Sequence, residues 1–275
     1  MPNILGDMIE LLQYNFFSNA LLVGILSGIA CGVIGSFVVI KKISFISGSI
    51  AHASFGGIGI AYFFGFNPIL GAILFSIASA LAIGFINKKN KLQEDASIGA
   101  IWAIGMAVGL IFIYFTRGYA ADLMSYLFGN ILFSNQRDIL YILALDLFIV
   151  ASVCFLFKWL VAIIFDEEFS VITNIKVFPL YLFLLVLIAL SVVVLIKSVG
   201  VILVIALLCL PASAARLLSN NFRNIILIAC AIAVFSNIAG IIISYYLNIP
   251  SGPVIVLTAA FVYIFILLGT KLKKC

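Results

Sequence analysis

Residues 179–196 read PLYLFLLVLIALSVVVLI. No charged residue interrupts the run, and its apolar positions are continuous, without the period-two alternation of a membrane β-barrel strand. A helix needs about 20 predominantly apolar residues to cross the hydrocarbon core of a bilayer. Similar runs recur along all 275 residues, 65% of which are hydrophobic and 9% charged, with a mean hydropathy of +1.35. A soluble domain is about 45–50% apolar and about 25% charged. Backbone polar groups in lipid must be satisfied internally, which leaves a bundle of helices. The expected fold is therefore an all-α, polytopic membrane helix bundle of about eight or nine transmembrane helices.

Hydropathy places helices at 18–40, 50–66, 69–87, 97–116, 138–160, 179–196, 199–216, 224–246 and 253–270. The segment 119–136, YAADLMSYLFGNILFSNQ, is amphipathic and too polar for a span, and reads as an interfacial or re-entrant helix. The first residues, MPNILGDMIELLQ, contain two acids and no base, unlike a secretory signal peptide. They read as an amphipathic lead-in with Ile4, Leu5, Met8, Ile9 and Leu12 on one face.

With the N-terminus outside and the C-terminus cytoplasmic, twelve of the fifteen Lys and Arg residues fall on the cytoplasmic side and three, Arg117, Arg137 and Lys197, outside. That asymmetry follows the positive-inside rule. The net charge of +5 is accordingly topological information; the basic residues form no aromatic-interleaved patch suited to nucleic acid. The five cysteines are scattered without CxxC spacing, so neither a disulfide framework nor a zinc cluster is indicated. No GxxxxGK[ST] loop is present, and a single histidine excludes HExxH. An intramembrane enzyme would need a convergent catalytic set, which the sequence lacks.

That histidine, His52, stands in IAHASFGGIG, 50–59. Ser49, Ala53, Gly57 and Ala61 recur every fourth residue, and Gly48, His52, Gly56 and Ile60 form the neighbouring row. Small rows let helices approach closely in membranes, so His52 is expected to face protein. It then serves either as an interhelical hydrogen-bonding group or as a ligand or gate for a transition-metal cation, for which neutral imidazole is suited. The connection 158–178, KWLVAIIFDEEFSVITNIKVF, is long and mixed in charge. It reads either as a solvated loop or as a short surface helix docking a cytoplasmic partner.

Several stretches, in order along the chain, resemble the metal-ion permeases of ABC importers for zinc, manganese or iron. KKISFISGSIAHASFGGIGIAYFFGFNP is similar to that family's second helix, and KKNKLQEDASIGAIWAIGMAVGLIF to its cytoplasmic loop and next helix. GYAADLMSYLFGNIL resembles its central segment, FDEEFSVITNIKV its coupling helix, and SVGVILVIALLCLPASAARLL its Val-Gly…Leu-Pro-Ala helix. The resemblance implies one transmembrane permease domain over 1–275, in the cytoplasmic membrane of a prokaryote. It implies a homodimer with a second copy, cytoplasmic ABC ATPase subunits that hydrolyse ATP on separate chains, and an external metal-binding protein. No cofactor is implied for this chain; the cargo is a divalent metal, zinc first, then manganese or iron.

Residues 165–176 are implied to be the ATPase-coupling segment, with Asp166, Glu167, Glu168, Phe169 and Asn174 in contact with the ATPase. His52 is the implied metal residue of the translocation path. Many members of that family carry aspartate four residues before this histidine, where this chain has Gly48. Either His52 acts with another residue, or metal passes without a tight intramembrane site.

Glu94 and Asp95 open the fourth helix, as dipole-complementing acids or as a cytoplasmic gate. Asp146 lies eight residues beyond Asp138, about 12 Å along a helix axis, where it needs a partner or a wet cavity, and reads either as a structural hydrogen-bonding group or as lining of the pathway. Pro211 is expected to bend its helix and free a carbonyl for Ser213 or a neighbouring helix. Asn237 and Ser244 fit interhelical bonds or the path. A stand-alone secondary transporter or channel, the alternative, predicts an internal repeat and several intramembrane charges; no repeat is visible, and only His52 and Asp146 lie deep.

Overall fold

The computed structural model describes residues 13–89, 94–116, 126–129 and 131–272. The amphipathic lead-in and most of the polar part of 119–136 lie outside them. Among the described residues there are nine long helices and one short one, and no strand. They are α1 (Asn15–Lys41), α2 (Ser44–Phe63), α3 (Pro68–Lys89), α4 (Glu94–Phe115) and α5 (Gln136–Phe165). After the short α6 (Glu167–Ile172) come α7 (Val177–Val199), α8 (Val204–Leu218), α9 (Phe222–Leu247) and α10 (Ser251–Leu272).

Among the described residues eight helices, α8 counted with the 3-10 turn before it, are long and apolar enough to cross a membrane; α2, rich in serine and glycine, is the long helix that falls short on hydropathy. Its 20 residues still reach about 30 Å at 1.5 Å per residue. It tolerates this polarity because it is sheathed by protein: residues 46–59 are buried throughout.

Helices α1 and α7 form the centre. α1 packs on α5, α7, α8 and α9, and α7 also meets α3. Gly24, Gly28 and Gly32 lie on one face of α1, and a Cβ at Gly28 would come within 2.8 Å of the Val234 amide nitrogen of α9. Two glycines of α2 make the corresponding approach to α4: Gly56 faces the Gly105 carbonyl and Gly59 faces Gly109. Such close crossings replace the hydrophobic driving force that lipid does not supply between helices.

Ion pairs fix the two ends. Lys197 at the end of α7 contacts Asp138 at the start of α5 at 2.9 Å. Asp138 also completes a capping box with Asn135, closing the first turn of α5. At the opposite end, Lys41 of α1 contacts Glu167 of α6 at 3.0 Å.

Pro211 sits inside α8 and has no amide hydrogen for the carbonyl of Leu207. The Cys31 thiol of α1 donates to that carbonyl at 2.7 Å, so a neighbouring helix supplies the missing bond. Asn237 Nδ2 donates to the Gly24 carbonyl at 2.7 Å and to Ser27 at 3.1 Å, joining α9 to α1. Ser244 donates to the Ile249 carbonyl at 2.6 Å and closes the α9–α10 turn.

The described part of 119–136 is folded into the protein. Ile131, in a single 3-10 turn, is fully buried, and Gly129 (φ 76°) and Gly200 (φ 79°) meet backbone to backbone. Positive φ and the absence of a side chain are both required at that contact.

Three boundaries differ from the expected ones by five residues or more. α2 begins at Ser44, because the polar run SFISGS is helical where hydropathy alone shows nothing. α5 continues to Phe165, since exposed Lys158 does not stop a helix whose next residues are again apolar. α8 begins at Val204, after Gly200 turns the chain and 201–203 form a 3-10 turn.

Candidate functional site

His52 sits midway along α2, 9% exposed. Its ring stacks on the indole of Trp102 from α4, with centroids 4.1 Å apart and planes 9° from parallel. Three residues earlier, Ser49 donates to the Ile98 carbonyl of α4 at 2.7 Å and fixes the helix register. Buried His52 Nδ1 has no hydrogen-bond partner. The bland role, an interhelical hydrogen bond through that nitrogen, is therefore absent from this arrangement. A buried lone pair or N–H in such a setting is costly unless a ligand or water meets it.

Gly48, one turn before His52 in the same row, stands against α8. A Cβ built at Gly48 would run into Cδ1 of Ile205 and lie 2.6 Å from its Cγ1. Ile205 of α8 thus occupies the volume a carboxylate would need. Among the described residues no group of three or more His, Cys, Asp or Glu side chains is placed to hold a metal ion. His52 is a single imidazole beside an aromatic wall.

Asp146 is buried, and its Oδ1 has no hydrogen-bond partner. It lies on α5, which packs on α1 and α7, within electrostatic reach of Cys230 of α9. His52 lies among α2, α4 and α8, so the structure does not bring these two deep groups together. Asp95 is exposed on the first turn of α4, consistent with an acid complementing the helix dipole. Glu94 begins that helix, and its side chain lies outside the described residues.

The 165–176 segment is closed at both ends. Asp166 Oδ1 accepts from the Phe169 amide at 2.8 Å as the N-cap of α6. At the other end Asn174 takes a left-handed conformation (φ 58°). The amide of Asn174 donates to the Val171 carbonyl and that of Ile175 to the Ser170 carbonyl, a Schellman closure. Glu167 is held by Lys41, whose ammonium also donates to the Ile163 carbonyl at 3.0 Å. The six-residue helix then presents Phe169, Val171 and Ile172 to the outside, at 58%, 60% and 78% exposure, with Glu168 exposed beside them.

Sequence reasoning placed His52 against a neighbouring helix and α6 on the surface. It missed Trp102 and Ile205, which stand far from the histidine along the chain and meet it only through tertiary packing.

Fold and site together define a multi-span helical membrane protein with a sheathed, histidine-bearing helix and a doubly capped helix displayed at one end. The chain belongs to the ABC 3 transport family, which residues 13–270 match. It is 35% identical over 253 residues to the manganese transport system membrane protein MntC of Listeria monocytogenes, covering 92% of this chain and 90% of that one. It is 41% identical over 235 residues to a probable metal transport system membrane protein of Chlamydia trachomatis, covering 83% and 80%. Among solved structures it resembles a chain of PsaBC from Streptococcus pneumoniae in complex with Fab, with a TM-score of 0.87, 30% identity and 95% coverage of each chain.

Proposed function

We propose that this chain is the membrane-spanning permease of an ATP-driven importer for a divalent metal ion, manganese before zinc and iron. The observation that carries the reading is α6. A helix of six residues, far too short to be stable alone, is capped at both ends, tied to Lys41, and left with Phe169, Val171 and Ile172 facing outward. Such a projection from a protein with little other extramembrane structure fits docking on a cytoplasmic ATPase, which Glu168 and these apolar side chains would contact. Asp166, Glu167 and Asn174 shape the helix and are themselves exposed beside it. The basic asymmetry supports placing α6 and the C-terminus in the cytoplasm and the N-terminus outside.

His52 is the residue we assign to the path, with Asp146 as a separate acidic group off that path and Glu94 and Asp95 at the cytoplasmic mouth. The exposed small residues Ala96, Gly99, Ala100, Ala103 and Ala107 of α4, next to Trp102, favour close packing of a second copy there. The zinc expected from the sequence gives way to manganese because relatives carry manganese in their names.

The test is accumulation of radioactive manganese by cells lacking their own importers that express this chain with an ABC ATPase and an external binding protein. We expect uptake that excess unlabelled manganese suppresses more strongly than equal zinc. Stronger suppression by zinc would restore the zinc assignment; no uptake with all three chains present would refute the function.

A further inference from the structure

A cleft of about 830 Å³ opens behind α6, between the ends of α1 and α3 and the start of α7. Four ammonium groups surround it: Lys41 and Lys42 close α1, Lys88 lies on the last turn of α3, and Lys176 precedes α7. One carboxylate, Glu167, lines it, already engaged with Lys41. Lys42, Lys88 and Lys176 have no carboxylate within ion-pair distance among the described residues. Lys88 instead rests 4.0 Å over the ring of Phe178, which forms an aromatic wall. Three lysines without a carboxylate partner line one concavity beside the Lys41–Glu167 pair; their like charges repel one another, and an anion seated there removes that cost.

The chemistry of the occupant is set by position and lining. The lysines stand at the ends of membrane-spanning helices, the level of lipid headgroups, and the aromatic wall is of the kind found at that interface. Basic pockets between transmembrane helices on the cytoplasmic side take anionic headgroups. Lysines bind phosphate as point charges, without demanding one orientation. We propose that this cleft binds the phosphate headgroup of an anionic phospholipid, its glycerol and acyl chains against the Phe178 side. The occupant touches Lys41, the residue that holds α6 through Glu167, so the lipid composition of the inner leaflet bears directly on the seating of α6. The cytoplasmic placement rests on the transport reading above; lipid retention by the chain itself does not.

The experiment is native mass spectrometry of the intact chain released from mild detergent, titrated with phosphatidylglycerol or with phosphatidylcholine. Retained phosphatidylglycerol adducts in clear excess over phosphatidylcholine are expected. A polybasic site gains about a factor of five per lysine, so the K42Q/K88Q/K176Q variant should bind phosphatidylglycerol about 100-fold more weakly. K42R/K88R/K176R should retain binding, and K158Q, on the exposed face of α5, should match the parent. The arginine variant keeps the result interpretable if the glutamine variant fails to fold. Equal retention of the two lipids, or an unchanged glutamine variant, would overturn the proposal. Displacement by millimolar inorganic phosphate would reassign the cleft to free phosphate, and loss of adducts on adding the ATPase would reassign it to an acidic protein surface. Because manganese uptake plays no part in this readout, failure here leaves the transport function standing, and the reverse.

Discussion

Gly48 abuts Ile205 one turn from His52, and the contact can be tested as a closed cycle. A Cβ at position 48 would overlap Ile205 Cδ1 and approach its Cγ1 at 2.6 Å, well inside contact distance. Gly48→Ala alone must displace the half-buried Ile205 side chain, at a cost of up to about 1–3 kcal/mol by the usual penalty for overfilling, offset by the roughly 1 kcal/mol that Ala gains over Gly in a helix. Ile205→Ala opens that volume and costs its own lost packing. The double variant should be more stable than the sum of the two single losses, with a coupling of at least about 1 kcal/mol, the range seen for residues in contact. Thermal inactivation of the purified chain, monitored by loss of its monodisperse elution peak, supplies the four values. Adding Asp at 48 in the Ile205→Ala background then places a carboxylate one turn from His52, and should create manganese binding measurable by equilibrium dialysis. The reasoning is refuted if the effects of the two single substitutions simply add.

Cys31→Ala removes the donor to the carbonyl freed by Pro211; it should lower stability by about 1 kcal/mol, the scale of interhelical hydrogen bonds in membranes, with Cys31→Ser retaining most of it in the same inactivation assay. Replacing Asp166, Glu167 and Glu168 together by lysine removes the α6 cap and its tie to Lys41. ATPase co-purification should fall at least tenfold while membrane insertion is unchanged, and undiminished co-purification would sink the docking assignment. His52→Ala should reduce manganese uptake with normal expression, whereas Asp146→Asn should leave uptake largely intact, since Asp146 lies apart from α2; full uptake in the histidine variant returns His52 to a packing role.

Much of the architecture was legible because each span announces itself as a continuous apolar run, and lipid permits few alternatives. The row of Ser49, Ala53, Gly57 and Ala61 correctly indicated that α2 is enclosed, since helical period alone fixes which residues share a face. Its early start was not legible: SFISGS is polar by composition, and its helix is seated against α4 through Phe45 and Ser49 and against Ile205 of α8 at Gly48, contacts far apart in the chain. The end of α5 was hidden by Lys158, a charge that hydropathy counts against a span although the side chain points outward. Cys31 looked like an ordinary small membrane residue, and only the position of Pro211 on a neighbouring helix reveals its bond. The site was legible as a set of residue types, His52 and 165–176, whereas the fit of Ile205 over Gly48 and the ring of lysines behind α6 depend on residues far apart in the chain.

The measurement that bears most directly on the whole account is affinity purification of this chain from its own membranes in mild detergent, with mass spectrometry of the proteins retained with it. The account predicts an ABC ATPase, recovered in comparable amount and lost when α6 is disrupted. A reproducible homo-oligomer with no ATPase, stable to crosslinking, would contradict it and favour a transporter that works alone.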